Sequence, residues 1–243
     1  MPEGHTWTEV AAHEGAAVVV VPVGSYEQHG PHLPLDTDTQ IACALAAPLA
    51  DRADVVVAPP VAFGASGEHA DFPGTLSIGH DALAAVLVEI VRSARRAFRG
   101  VVFVSGHGGN ADALARTSRL CRMEGDAVLC WAPRVVGADA HAGRTETSLL
   151  LAINPSAVRA DAAEPGRPDD LADLIGRLRS DGVRAVSPNG VLGDPRPATA
   201  AEGEQLLSAL RGDLAAALDR WSAELAHRAS PGRGALDAEG TAP

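Results

Sequence analysis

A short segment near the amino terminus concentrates acidic and imidazole side chains. Glu27 and His29 lie two residues apart in it, and Asp38 follows further along. In an extended segment, residues two apart point to the same side, so a carboxylate and an imidazole would face one point in space. Oxygen and imidazole ligands together suit Zn²⁺, Mn²⁺ or Fe(II). The segment predicts a metal site, and a polar turn with incidental acids and histidines is the alternative.

The end of this segment has the pattern of a helix start. Residues 37–40 read Thr-Asp-Thr-Gln, the form of a capping box, which predicts that Thr37 caps a helix and that Asp38 lies in its first turn. A helix would hold Asp38 more firmly than a loop. His32 and Asp36 in the same segment are interpreted as surface groups or as groups that support the ligands.

A glycine-rich loop supplies the second candidate. Residues 105–110 read Ser-Gly-His-Gly-Gly-Asn, directly after an apolar run. Glycines let the backbone approach a ligand closely. His107 would project from the end of a strand into the site, and Asn110 is a good N-cap for the next helix.

The same loop has a second interpretation, because residues 106–111 also fit the dinucleotide fingerprint G-x-G-x-x-[GA]. That fingerprint requires an acid at the end of the following strand. The following strand ends in Cys130 and Trp131, and neither is acidic. A nucleotide-binding enzyme that uses the Gly106 loop therefore remains only as a lesser alternative.

Residues 139–148 form the third candidate segment and lead into another predicted helix. Thr145 could cap that helix and Glu146 would lie in its first turn, where the helix dipole favours a negative charge. His141 precedes it on a loop, and loops often carry catalytic groups. Together the three segments offer enough acids and histidines for two metals that share one bridging acid.

These segments belong to a chain in which predicted strands and helices alternate, which indicates a parallel sheet covered by helices on both faces. In such folds, sites lie at the carboxyl ends of strands, where the first and second segments begin. The tail 229–243 is rich in Gly, Pro and Ala and is predicted to be disordered after one domain over 1–228. The predicted strands are 17–23, 54–58, 101–105 and 127–131, and the predicted helices are 41–50, 80–99, 111–124, 145–153, 169–179 and 202–227.

The composition narrows the function classes. A formal net charge of −11 argues against nucleic acid as a partner. No apolar run is long enough to span a membrane, and residues 1–10 lack the pattern of a signal peptide, so we expect a cytoplasmic protein. The three cysteines, Cys43, Cys121 and Cys130, contain no Cys-x-x-Cys pair and are interpreted as small apolar residues.

The three segments together resemble those of a known family. The segments 24–38, 106–110 and 139–148 are similar to those of the creatininase (creatinine amidohydrolase) family, and the likeness covers roughly residues 16–225. Within the family, further segments look like the subgroup of mycofactocin-system peptidases. Those segments are 66–69, 72–79, 190–194 and 198–203.

The resemblance implies a three-layer α/β/α fold, a homohexamer and a site with two divalent metal ions. Glu27 and His107 would hold one ion, His29 the other, and Asp38 would bridge them. In creatininase a Glu two residues after the loop histidine completes the second metal, but here that position is Gly109. Glu146, whose motif is intact, is the candidate replacement for that fifth ligand.

For this subgroup, the resemblance implies hydrolysis of a peptide bond in a small ribosomal peptide already modified at its C-terminal Val-Tyr, which is released as a dipeptide. Two metals would lower the pKa of a bridging water, and the resulting hydroxide would attack the amide carbon. His141 is the predicted carrier of the proton to the leaving amine, because histidine titrates near neutrality, and a structural or ligand role is its alternative. Tyr26, Glu68, His69 and Phe72 lie on plausible substrate loops, without assigned contacts.

Two further alternatives remain from the sequence. A hydrolase of a small cyclic amide or formamide would use the same chemistry, and activity on the peptide separates the two. A non-catalytic partner within a biosynthetic complex is the other, and the complete set of candidate ligands argues against it.

Overall fold

A parallel sheet forms the centre of the computed structural model, which describes residues 5–169 and 171–229. Within these residues the strands lie in the order β2-β1-β3-β4, and every neighbouring pair is parallel. The strands are β1 (Val18–Val23), β2 (Val55–Val57), β3 (Gly100–Ser105) and β4 (Val128–Trp131).

Helices connect the strands and cover the sheet. None of the described helices combines the length and the apolar character needed to cross a membrane. The predicted disordered tail lies, from residue 230 onwards, outside the described residues. The helices are α1 (Trp7–Ala11), α2 (Thr37–Ala46), α3 (Gly79–Ala94), α4 (Ala111–Met123), α5 (Arg144–Ile153), α6 (Leu171–Asp181), α7 (Val183–Val186) and α8 (Ala200–Ala229).

The two faces of the sheet are buried by different helices, and β1 shows this residue by residue. Val18 and Val20 pack in one core with side chains of α2, α5 and α8. Val19, Val21 and Val23 point to the other face and pack with side chains of α3 and α4. Successive strand side chains alternate between faces, so an unbroken β-branched run fits a strand with both faces buried. The predicted α/β/α layering follows from this arrangement.

The predicted helix over 80–99 was wrong at its end, because α3 stops at Ala94. Gly100 does not terminate a helix; it is the first residue of β3. A Cβ at Gly100 would lie 2.6 Å from the Trp221 ring and 3.0 Å from the carbonyl oxygen of Ala127. Close packing between α8 and the sheet therefore explains this glycine.

The other predicted elements need smaller corrections. The helix predicted over 41–50 begins four residues earlier, at Thr37, and gives way after Ala46 to a 3-10 turn, Ala47–Asp51, that contains Pro48. The remaining predicted elements agree with the structure within two residues at each end. Cys121 is buried, Cys43 and Cys130 are half-buried, and all three are free thiols.

The register of the sheet brings two of the predicted segments together. Val23 pairs with Ser105 at the carboxyl ends of β1 and β3, and the Gly106 amide donates to the Val23 carbonyl at 2.9 Å. The loops that follow these strands therefore start side by side at the same edge of the sheet.

Candidate metal centre

The loop after β1 carries Glu27 and His29 into the interior, where both are fully buried. The Glu27 amide donates to the Leu35 carbonyl at 2.9 Å, which closes the loop on itself. The Nδ1–H of His29 donates to the Glu27 carbonyl at 3.1 Å, and its Nε2 faces Asp38 Oδ1 at 3.2 Å. A backbone acceptor thus fixes the ring so that one nitrogen points at the acids, as metal-binding histidines require.

Helix α2 carries Asp38 in its first turn, but Thr37 does not cap it as predicted. Asp36 precedes the helix without a side-chain cap, and the Thr37 hydroxyl instead donates to the Pro34 carbonyl at 2.7 Å. Asp38 Oδ2 accepts a hydrogen bond from Ser25 at 2.7 Å. One carboxylate oxygen of Asp38 faces His29 and the other lies 3.1 Å from Nδ1 of His107. Asp38 therefore lies between the two histidines, which is where a bridging ligand is needed.

The loop after β3 carries His107 to the opposite side of the cluster. Its Nε2 lies 3.1 Å from Glu27 Oε2 and 3.1 Å from the carbonyl oxygen of Ala65. Asn110 takes the N-cap position of α4 as predicted, but its side chain makes no cap bond. Its amide instead donates to the Gly24 carbonyl at 2.9 Å and accepts from the Ala65 amide at 3.0 Å.

Helix α5 brings Glu146 to the cluster, and the predicted cap by Thr145 was also wrong. The carboxylate of Asp139 accepts from the amides of Arg144 at 2.5 Å and Thr145 at 2.9 Å. Ala142 adopts a φ of 51°, which is uncommon for a residue with a side chain, and its amide donates to Glu146 Oε2 at 2.6 Å. Local strain in the backbone thus helps to position this carboxylate.

His141 lies just before this strained turn, and its two nitrogens have different surroundings. Nε2 lies 2.9 Å from the carbonyl oxygen of Gln28, so this nitrogen carries the proton. Nδ1 then has a free lone pair and lies 3.9 Å from Glu27 Oε1 and 4.0 Å from Glu146 Oε2. The structure brings His141 into the cluster together with the five predicted ligands.

The donor atoms form overlapping groups within which they lie no more than 4.8 Å apart. Glu27, Asp38 and His107 form one group, and His29, Asp38 and Glu146 form a second that shares Asp38. Glu27, His29 and His141 form a third. Shared acids between neighbouring groups are the arrangement expected for two adjacent cations.

Comparison of the whole chain with models of protein families identifies the family of the chain. A model described as creatinine amidohydrolase matches residues 3–218. The chain belongs to the creatininase family. The match spans all three loops that supply the cluster, so the predicted resemblance is confirmed.

Individual relatives within the creatininase family agree with this assignment. The chain is 54% identical over 225 residues to a Mycolicibacterium smegmatis protein named mycofactocin precursor peptide peptidase, which covers 89% of this chain and 90% of the relative. A mutant creatininase of the Zn-Zn type is similar in structure with a TM-score of 0.73 and 25% identity, over 89% of this chain and 95% of that chain. A structure described as creatininase Mn gives a TM-score of 0.72 at 26% identity, over 89% and 96%. The predicted creatininase-like α/β/α fold is confirmed.

The carboxylate of the buried Glu27 indicates whether the side chains of this creatininase-family site suit a cation. Both of its carboxylate oxygens are buried and, within the part of the chain that the structure describes, have no hydrogen-bond partner. A buried carboxylate in this state is costly unless it is protonated or coordinates a metal. The donor set of carboxylates and imidazoles therefore fits divalent cations.

The pKa values of the cluster show how strongly these groups interact. Burial raises the pKa of Glu27 to about 7. Burial alone would lower the pKa of His29 and His107, but the neighbouring carboxylates, Asp38 for His29 and Glu27 for His107, outweigh it and raise both values to about 10. Burial alone would raise the pKa of Asp38, yet the charge of His29 and the contacts with His107 hold it well below its usual value. The two imidazolium groups thus supply positive charge where a cation would bind.

The loop after β2 contributes groups to which the sequence analysis assigned no contacts. His69 is buried, and its Nε2 lies 3.2 Å from Glu27 Oε1. Gln28 holds the ring from the other side, with Nε2 of the amide 2.9 Å from Nδ1 of His69. Burial lowers the pKa of His69 to about 3, so the ring is neutral. The parallel sheet could have indicated this loop, because the carboxyl end of β2 lies at the same edge as those of β1 and β3.

His32 and Asp36, the other polar residues considered in the first loop, are not fully exposed. His32 is fully buried, and its Nε2 lies 2.9 Å from the Thr147 hydroxyl. Asp36 accepts a hydrogen bond from the Gln40 amide at 2.8 Å. His32 therefore links the ligand loop to α5, the helix that carries Glu146.

Proposed function

We propose that this creatininase-family protein is a metal-dependent peptidase that acts on the mycofactocin precursor peptide and releases its modified C-terminal Val-Tyr dipeptide. The observation that carries the proposal is the buried cluster of acids and imidazoles around Glu27, whose carboxylate oxygens have no hydrogen-bond partner among the described residues. The 54% identity to the Mycolicibacterium smegmatis peptidase supports the substrate.

The proposed ligand assignment follows the overlapping donor groups. Glu27 and His107 would hold one ion, His29 and Glu146 would hold the other, and Asp38 would contribute to both. Glu146 takes the role of the carboxylate that Gly109 does not supply. Zn²⁺, Fe(II) and Mn²⁺ all suit this mixture of oxygen and nitrogen donors.

Two bound divalent cations supply an activated water and polarise the amide carbonyl. The protein side chains position this chemistry and move the proton. The Ser25 hydroxyl orients Asp38 through Oδ2. Burial holds the pKa of His141 well below its usual value, so Nδ1 keeps a lone pair that faces Glu27 and Glu146. We propose that Nδ1 of His141 takes a proton from water and passes it to the leaving amine.

Mass spectrometry of the modified precursor peptide, incubated with the protein with and without a chelator, tests the proposal. We expect loss of the C-terminal dipeptide only when metal is present, and no cleavage by an Asp38→Asn variant. Intact peptide after incubation with metal-loaded protein would refute the peptidase activity.

A hydrolase of a small cyclic amide or formamide is the second candidate, favoured by the structural likeness to creatininases. Release of product from such an amide, with the peptide left intact, would support it. The nucleotide interpretation of the Gly106 loop loses support, because His107 in this loop faces the acids. A Cβ at Gly106 would also lie 2.1 Å from the Asp38 carbonyl oxygen, which accounts for that glycine through packing.

The organisation of the protein beyond the site is also a proposal. Residues 1–228 form one metallohydrolase domain, the protein assembles as a homohexamer like the family it resembles, and it acts in the cytoplasm without nucleic acid or membrane as a partner. Light scattering of the purified protein tests the hexamer, since the expected mass is about six times the 24.9 kDa of one chain.

A further inference from the structure

Glu68 brings a fourth carboxylate to the edge of the cluster. It lies in the 3-10 turn Gly67–His69, after β2, and its Oε1 is 3.7 Å from Nε2 of His107. Its side chain is 26% exposed, whereas that of Glu27 is fully buried. Glu68 can therefore shift toward a bound ion more easily than the buried ligands can.

The space that Glu68 occupies exists because residue 109 is glycine. A Cβ at Gly109 would lie 2.6 Å from Glu68 Oε1 and 2.3 Å from Nε2 of His107. Real side chains do not tolerate such distances, so a residue with a side chain at this position would displace the carboxylate or the imidazole. The glycine of one loop and the acid of another loop therefore fit together at the same point.

The charged groups around Glu68 favour a bound cation. Among residues 5–169 and 171–229, no arginine lies within 4.0 Å of its carboxylate, and its ionic contact is with His107. The adjacent Glu27 is buried and its oxygens are without hydrogen-bond partners in the described part of the chain, although Oε2 lies 3.1 Å from the same His107 nitrogen. Two carboxylates thus converge on one imidazole, an arrangement that a divalent ion stabilises.

We propose that Glu68 is a further metal-binding residue, whose carboxylate joins Glu27, Asp38 and His107 in holding one of the two ions. This inference rests on the proposed two-metal function. It assigns the fourth carboxylate of the site to the loop after β2, in space that a side chain at residue 109 would fill.

Metal binding by Glu68→Gln, which keeps the shape of the side chain and removes its charge, tests the inference. Asp71→Asn is the matched control, because Asp71 is exposed in the same loop and, among the described residues, only its backbone carbonyl is engaged, by Arg184. Each full-length protein is stripped with a chelator, checked for folding by circular dichroism, and titrated with Co²⁺ and Zn²⁺. The readouts are the dissociation constants, the number of ions bound, and the visible absorption of bound Co²⁺.

We expect Glu68→Gln to raise the dissociation constant of one of the two bound ions by roughly 10- to 100-fold and to change the Co²⁺ spectrum. Asp71→Asn should match the wild type in both. Two ions bound by Glu68→Gln with wild-type affinity and spectrum would overturn the inference and leave the proposed function intact. Failure of the wild-type protein to bind two ions would instead refute the proposed function on which the inference rests. Glu68→Asp, which shortens the side chain but keeps the charge, is expected to bind more tightly than Glu68→Gln; equal weakening of both would also count against a ligand role.

Discussion

Replacing Glu27 by Gln is expected to stabilise the metal-free protein while it abolishes metal binding. Burial raises the pKa of Glu27 from 4.5 to about 7, which corresponds to about 3 kcal/mol of unfolding free energy lost once the carboxyl is ionised. Because the unfolded chain releases this proton first, the loss grows between pH 4.5 and 7 and is complete above pH 7. An amide carries no charge but leaves polar atoms to satisfy, so we expect a net gain of about 1–3 kcal/mol at pH 8.

Asp38→Asn is the matched comparison, and its effect has the opposite sign. Asp38 lies 3.2 Å from His29 and 3.1 Å from His107, and it accepts the Ser25 hydroxyl. Its pKa is lowered, so its stabilising contribution is present above pH 3.8 and is lost only as the pH falls through the lower folded value. Removing one partner from a buried charged cluster costs about 3–5 kcal/mol.

Urea unfolding of chelator-treated protein at pH 5 and pH 8, followed by circular dichroism, measures both effects. We expect the unfolding free energy of Glu27→Gln, relative to wild type, to be larger at pH 8 than at pH 5. Asp38→Asn should be less stable than wild type at both pH values. Elemental analysis after dialysis against Zn²⁺ should show loss of metal from both variants. Equal destabilisation by the two substitutions at pH 8 would refute the conclusion that Glu27 is strained by burial.

Three further predictions concern the same centre. Because the two site histidines with pKa values of about 10 are protonated at pH 8 without metal, metal binding at pH 8 should release about two protons and strengthen as the pH rises. Calorimetry in buffers of different ionisation enthalpy measures this release, and its absence would contradict the prediction. Gly109→Ala should displace His107 and weaken metal binding at least about tenfold. Gly108→Ala should not, since a Cβ at Gly108 would meet no atom of the described residues within 4 Å; equal effects of the two would exclude the steric cause. Gln28→Ala removes the amide that contacts Nδ1 of His69 and should lower the unfolding free energy by about 1–3 kcal/mol in a urea titration, a result that an unchanged midpoint would contradict.

The sequence indicated which side chains come together in this cluster, because the first and third segments carry their acids and histidines at local spacings. Glu27 and His29 are spaced for one side of an extended loop, and Glu146 lies in the first turn of its helix as expected. The caps assigned to Thr37 and Thr145 were wrong because both residues bond to the loop just before them: the Thr37 hydroxyl donates to the Pro34 carbonyl, and the Thr145 amide donates to Asp139. Asn110 takes the N-cap position, but its side chain is held by the loops after β1 and β2. Helix propensity and capping patterns describe neighbours in sequence, and tertiary contacts override them.

The loop after β2 shows the limit of the sequence more clearly. β2 has only three residues, Val55–Val57, and so short a strand does not indicate that the loop after it reaches the site. The burial of His69 and the position of Glu68 depend on contacts with Glu27 and His107, which come from other loops. Such contacts become visible only when the order of the strands is known.

The side chain of Asn110 has a consequence for how metal ions enter and leave. Its amide bonds simultaneously to Gly24 and Ala65, so one residue joins the loops that follow β1, β2 and β3. These loops are thus already in place before any ion arrives, and binding has little chain left to order. We expect the apoprotein to keep its fold through cycles of chelation and reloading, so that one ion can replace another without unfolding. In a cell, the ion found in the site would then follow the relative supply of Zn²⁺, Fe(II) and Mn²⁺ as much as the preference of the ligands.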